Sequence, residues 1–150
     1  MKRAIQLAAL AACGVAAVAS AHNVEDRATE YRQSLMHVVG WNFSPLSAMV
    51  KGKTAFDAAE FSKRADRIAF LSDQLLEGFQ KAPPHGVNTD AKAEIWTSFD
   101  DFSTKAKDFV AEAKALSDVA KAKDEAKDKA QFKKLAGACK ACHDKYKNDD

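Results

Sequence analysis

Residues 95–120 read IWTSFDDFSTKAKDFVAEAKALSDVA. Apolar side chains fall at Ile95, Phe99, Phe102, Ala106, Phe109, Ala113, Leu116 and Ala120. Their spacing alternates four and three, which keeps one stripe of an α-helix turned toward a neighbour. Mostly charged and hydroxyl residues fill the positions between. A helix so built cannot bury its stripe alone, so the chain must supply partners with matching stripes.

Three other segments carry the same periodicity. The first runs from Glu25 to Val50, with Ala28, Tyr31, Leu35, Val38, Val39, Leu46 and Met49 on its apolar side. Pro45 lies inside it, without an N–H and crowding the preceding turn, and predicts a kink or split near Phe43 and Ser44. Gly52 ends the segment. The second runs from Thr54, read as the N-cap, to Gln80, with Ala58, Phe61, Ala65, Ile68, Leu75 and Phe79 on one face. Residues 81–88 then hold two prolines and a glycine, which cannot continue a helix. The third segment starts near Asp90, and the fourth spans Asp124 to Tyr146 with Phe132, Leu135, Ala136, Cys139, Cys142 and Tyr146 inward. The junction at Lys121–Asp124 has neither glycine nor proline and reads as a solvated turn. Four helices of about 35–40 Å with short links predict an all-α fold, an antiparallel up-down-up-down four-helix bundle.

The first 21 residues read as a secretory signal. Lys2 and Arg3 precede an apolar run from Ala4 to Val18, and Ala19-Ser20-Ala21 is an A-x-A cleavage site. Domain 1–21 is thus expected to be removed after Ala21, leaving 22–150 as one bundle and the periplasm as its location. Leu10-Ala11-Ala12-Cys13 resembles a lipobox, but the apolar run before Cys13 is short and a good A-x-A site follows, so the soluble product is the preferred reading. Cleavage leaves 21 basic against 21 acidic residues. A net charge near zero argues against nucleic acid as a partner.

Cys139-Lys140-Ala141-Cys142-His143 is the C-x-x-C-H signature of covalent c-type haem attachment. Two thiols three residues apart on a helix project from nearly one face, where both can add to the vinyl groups of one haem. His143 follows at the place of a proximal ligand. A structural zinc site wants four ligands, yet no second C-x-x-C is present and His22, His37 and His85 are scattered singly. A thioredoxin-like dithiol wants a preceding strand, and residues 131–146 have helical spacing throughout. No Gly-rich phosphate loop or nucleophile motif is visible, and His37 and Asp144 lack a third partner for a triad. The protein is expected not to be an enzyme.

Tyr31-Arg32-Gln33-Ser34, Val50-Lys51-Gly52-Lys53 with Phe56-Asp57-Ala58-Ala59, Glu94-Ile95-Trp96, and Cys139 to Asp144 together resemble the cytochrome c′ and class II c-type cytochrome family. The resemblance covers the chain from about Val24 to its end. It implies one covalent haem c on Cys139 and Cys142, with His143 as the proximal iron ligand and a basic residue, Lys147, near its imidazole. It also implies that Arg32 and Gln33 lie near the haem propionates, which a guanidinium is suited to pair. The residues alone leave both free to be ordinary surface side chains. Met36, four after Arg32, falls at the distal position facing the sixth coordination site. Either its sulfur ligates the iron, giving a low-spin His/Met electron carrier, or it fills space and leaves a five-coordinate iron open to nitric oxide or carbon monoxide. The leading expectation is electron transfer with periplasmic redox partner proteins, the alternative gas binding. A peroxidase lacks support, since no distal His or Arg pair can be placed. Lys133, Lys134, Lys140, Lys145 and Lys147 either steer an acidic partner or form a solvated face. A homodimer through the first two helices is typical of the family.

Overall fold

The computed structural model describes residues 16–148, with side chains from Arg27 onward. Of the expected signal peptide 1–21, residues 1–15, with the lipobox at Cys13, lie outside the described residues, and residues 16–21 form the start of α1. Helix α1 spans Ala16–Val50, α2 Ala58–Ser72, α3 Glu94–Thr97, α4 Phe99–Ala120 and α5 Glu125–Tyr146. A 3₁₀ segment, Leu75–Phe79, prolongs α2 after a short turn. Helices α1, α2, α4 and α5 form the four-helix bundle.

Cross-helix pairs fix the directions. Tyr31 Oη donates to Glu77 while Arg64 Nη1 donates to the Trp41 carbonyl, so α1 and the α2 arm run antiparallel. Ser117 Oγ donates to Asp66 and Lys114 pairs with Asp73, which sets α4 antiparallel to α2. Gln131 meets Glu112 and Lys145 meets Asp101, which sets α5 antiparallel to α4. Phe43 packs against Phe132, the ring centres 4.7 Å apart, and closes the ring of helices.

The stripe that opened the sequence reading is the core. Ile95, Phe102, Ala106, Phe109, Ala113, Leu116 and Ala120 are all buried, against Leu46, Phe61, Ile68, Phe132 and Leu135 from the other helices. Val38, expected inward, is exposed.

Several boundaries differ from expectation, beginning with α1, which starts at Ala16 rather than Glu25. Pro45 neither splits nor ends α1, which is helical through it. The carbonyl that loses its helical partner there is that of Trp41, four residues back, and Arg64 Nη1 donates to it from α2 at 3.3 Å. Helix α2 is capped by Asp57, not Thr54: its carboxylate accepts from the Ala59 and Glu60 N–H groups. It stops at Ser72 because the chain tightens into the 3₁₀ turn that brings Gly78 against α1. The third segment breaks at Ser98, whose backbone (φ −130, ψ 44) separates α3 from α4. The last junction turns through Lys123 in the left-handed region (φ 57), and Asp124 caps α5 through the Ala126 and Lys127 N–H groups. Among the described residues no helix is long and apolar enough to cross a membrane.

Candidate haem-binding cavity

A cavity of about 590 Å³ lies between α1, α4, the C-terminal half of α5 and the loop before α3. Its size is ordinary for a small-molecule or cofactor site. Every candidate haem-contact residue from the sequence lines it: Arg32, Gln33 and Met36 from α1, and Cys139, Cys142 and His143 from α5. Antiparallel packing places residues 32–43 of α1 across from residues 132–147 of α5.

The α5 wall carries the attachment chemistry. Both cysteines are half-buried and not disulfide-bonded. Desolvation, reinforced by the neighbouring Cys142, pushes the Cys139 thiol up to about 11. Desolvation also raises Cys142, against the opposing pull of the Lys105 ammonium. Both therefore stay protonated at neutral pH. Desolvation, and then the Lys147 ammonium, hold the His143 imidazole below the ordinary histidine value despite Asp144. The ring is thus neutral at pH 7, the form that ligates iron.

Beyond Arg32 and Gln33 the α1 wall is apolar except for His37. Met36 packs against the core beside Val39 and Phe43. Arg32 is buried (3% exposed) rather than a surface residue. Its Nη1 donates to the Gly78 carbonyl at 3.1 Å and its Nη2 to Thr29 Oγ1 at 2.9 Å. Its guanidinium carbon stands 5.4 Å from the ring centres of both Phe79 and Trp96, an aromatic pair that holds the cation by its quadrupoles. The Trp96 indole N–H donates to the Phe79 carbonyl and locks that cage. Burial lowers the pKa of Arg32, but guanidinium keeps its charge. Gln33 stays exposed at the rim and donates to the Asn88 carbonyl at 3.4 Å.

These residues fit a c-type haem. Two thiols at attachment spacing and a neutral imidazole share one wall, and the cavity is mainly apolar. Arg32 Nε is buried with no hydrogen-bond partner, a spare charged donor at the wall. A buried donor left unpaired is costly, and a carboxylate would relieve it. No group of three or more His, Cys, Asp or Glu that could hold a metal ion occurs among the described residues, so the zinc reading has no ligand set there.

The α5 lysines are largely engaged. Lys140 pairs with Asp144 at 2.6 Å, Lys145 with Asp101 at 3.0 Å and Lys147 with Asp90 at 3.5 Å. The basic surface expected from their count is thereby partly neutralised.

A four-helix bundle that gathers C-x-x-C-H, a buried arginine and an apolar wall around one cavity defines a helical c-type haem protein. The family model described as cytochrome c′ matches residues 27–147. The chain is 34% identical over 128 residues to cytochrome c′ of Halomonas halodenitrificans, covering 80% of this chain and 95% of that one. It superposes on cytochrome c prime from Shewanella frigidimarina with a TM-score of 0.79 and 42% identity, covering 83% and 97% of the two chains. A ferrous variant of cytochrome c prime from Alcaligenes xylosoxidans with bound NO superposes with a TM-score of 0.74 and 32% identity, covering 84% and 97%. The chain belongs to the cytochrome c′ family and carries that family's covalently attached c-type haem.

Gly78, Thr29, Phe79 and Asp90 escaped the sequence reading as site residues. Their role depends on which turn meets which helix, and no local pattern encodes that. Trp96 was visible only through its place in Glu94-Ile95-Trp96.

Proposed function

We propose that the protein is an exported gas-binding haem protein whose iron has one protein ligand, His143, and an open opposite face that takes nitric oxide or carbon monoxide. The observation that carries this reading is the apolar α1 wall, where Met36 is held by packing among core side chains. There it acts as a plug that shapes access rather than as an axial ligand. The bound NO of the Alcaligenes relative supports the same choice.

When bound in the cavity, the haem would supply an iron atom able to take up a diatomic gas. The residues do the rest. Cys139 and Cys142 hold the macrocycle through two thioethers, and His143 supplies a neutral imidazole. The fixed Arg32 cation, with Gln33 beside it, pairs with the propionates. Val39 and Phe43 keep the gas side dry. This takes the second of the two readings the sequence allowed. The first, His/Met ligation through Met36 with electron transfer to a periplasmic redox partner, is weaker, because three of the five lysines expected to steer that partner are paired with acids. We read the protein as a binding protein rather than an enzyme, located in the periplasm after cleavage behind Ala21. Trp41 and Phe70 are 74% and 72% exposed on α1 and α2, with Val38 nearby in sequence on α1. Large apolar side chains so exposed suit the homodimer through those two helices.

Titrating the dithionite-reduced holoprotein with nitric oxide tests this. One gas molecule per haem, read as a saturating shift of the visible spectrum, is expected. A spectrum unmoved by nitric oxide or carbon monoxide would contradict it.

A further inference from the structure

The loop between the 3₁₀ segment and α3 crosses the mouth of the cavity and is fastened on both sides. On one side Gln33 Nε2 of α1 donates to the Asn88 carbonyl at 3.4 Å. On the other, Ala91 and Lys147 form an antiparallel bridge. The Lys92 N–H donates to the Tyr146 carbonyl at 3.0 Å, and the Asn148 N–H to the Asp90 carbonyl at 2.8 Å. Within this strap the Asp90 carboxylate meets the Lys147 ammonium at 3.5 Å. Both residues line the cavity, at the end that holds His143. The Lys147 N–H also donates to the His143 carbonyl, so the strap grips the last turn of the helix that carries the ligand.

We propose that Asp90 is a positioning residue for the proximal side of the haem site: its carboxylate sets where the Lys147 ammonium, which also donates to the Asn148 carbonyl at 3.2 Å, stands beside His143. The proposal rests on the reading of His143 as the axial ligand. The chemistry follows from charge. Ferric iron carries one more positive charge than ferrous iron, so a cation fixed near its ligand favours the ferrous state. A lysine has a flexible four-carbon stem, and its ammonium has a defined effect only where something holds it. Helix ends fray, and His143 lies in the last turn of α5, so the strap also keeps the imidazole in place. The pair is more than one-third exposed on both sides, 38% for Lys147 and 61% for Asp90, so its strength is modest.

A double-mutant cycle on the haem-loaded protein tests this, with the reduction potential as the readout. Lys147→Gln should raise the ferric-to-ferrous ratio at a fixed poise about two- to fivefold in the wild-type background. In the Asp90→Asn background the same substitution should change it less than about 1.5-fold, and Asp90→Glu should restore most of the effect. An equal change in both backgrounds, or none in either, overturns the proposal. If Asp90→Asn does not mature, amide exchange at Lys92 and Asn148 decides. Exchange should be about two- to fivefold faster in Lys147→Gln than in wild type if the pair fastens the strap, and unchanged if it does not. A ferrous spectrum unaltered in His143→Ala would show instead that the ligand assignment itself has failed.

Discussion

Gly78 carries its weight at the scale of one residue. A Cβ built there would stand 2.8 Å from Arg32 Cβ and 3.1 Å from Tyr31 Cδ1, so only glycine lets the turn close on α1. The closeness puts the Gly78 carbonyl within reach of Arg32 Nη1, which keeps the guanidinium between Phe79 and Trp96. Arg32 Cβ is fixed to its backbone and cannot swing aside, so Gly78→Ala must push the turn off the helix. We expect a loss of about 1–3 kcal/mol in urea melts, the usual range for overpacking. A Gly78→Ala protein with wild-type stability would show that the turn relaxes without cost. Arg32 was legible in the sequence as a candidate. Its burial was not, because burial comes from the turn that covers it, 46 positions further along the chain.

At the scale of elements, the turn between α4 and α5 is made by a residue poorly suited to it. Lys123 adopts a left-handed conformation (φ 57), which costs a residue with a Cβ about 1–2 kcal/mol. Lys123→Gly removes that strain at the price of some unfolded-state entropy. It should raise stability by about 0.5–1 kcal/mol in urea melts with the haem spectrum unchanged. A decrease would mean that the lysine side chain contributes more than its backbone costs. The absence of glycine is also why this boundary was faint in the sequence. Elsewhere the elements were legible to the degree that they are local. The four-and-three alternation of residues 95–120 named core residues that the structure buries. Asp57, with Glu60 three residues on, is a capping pattern that reading Thr54 as the cap overlooked. Pro45 could not be read correctly from its own helix, because the group that compensates it, Arg64, belongs to another.

For the whole molecule, Asp128 couples stability to pH. Its carboxylate is fully buried near the start of α5 with both oxygens unpartnered. Desolvation, and then the Asp124 charge, raise its pKa in the fold. The native state thus holds this proton more tightly than the unfolded chain, whose carboxyl titrates near pH ~4. Its contribution to stability is greatest at low pH and declines as pH rises from there through the raised folded value. Asp128→Leu should therefore stabilise the protein by about 1–3 kcal/mol at pH 7, the cost of a buried unpaired polar group, and by less at pH 4–5. An equal gain at both pH values would mean that the carboxylate titrates normally. The central claim, that His143 is the sole protein ligand and Met36 only fills space, is tested most directly by the visible absorption spectrum of the intact ferric holoprotein at neutral pH. A high-spin, five-coordinate spectrum is expected, whereas a low-spin, six-coordinate spectrum that turns high-spin in Met36→Ala would contradict that ligation.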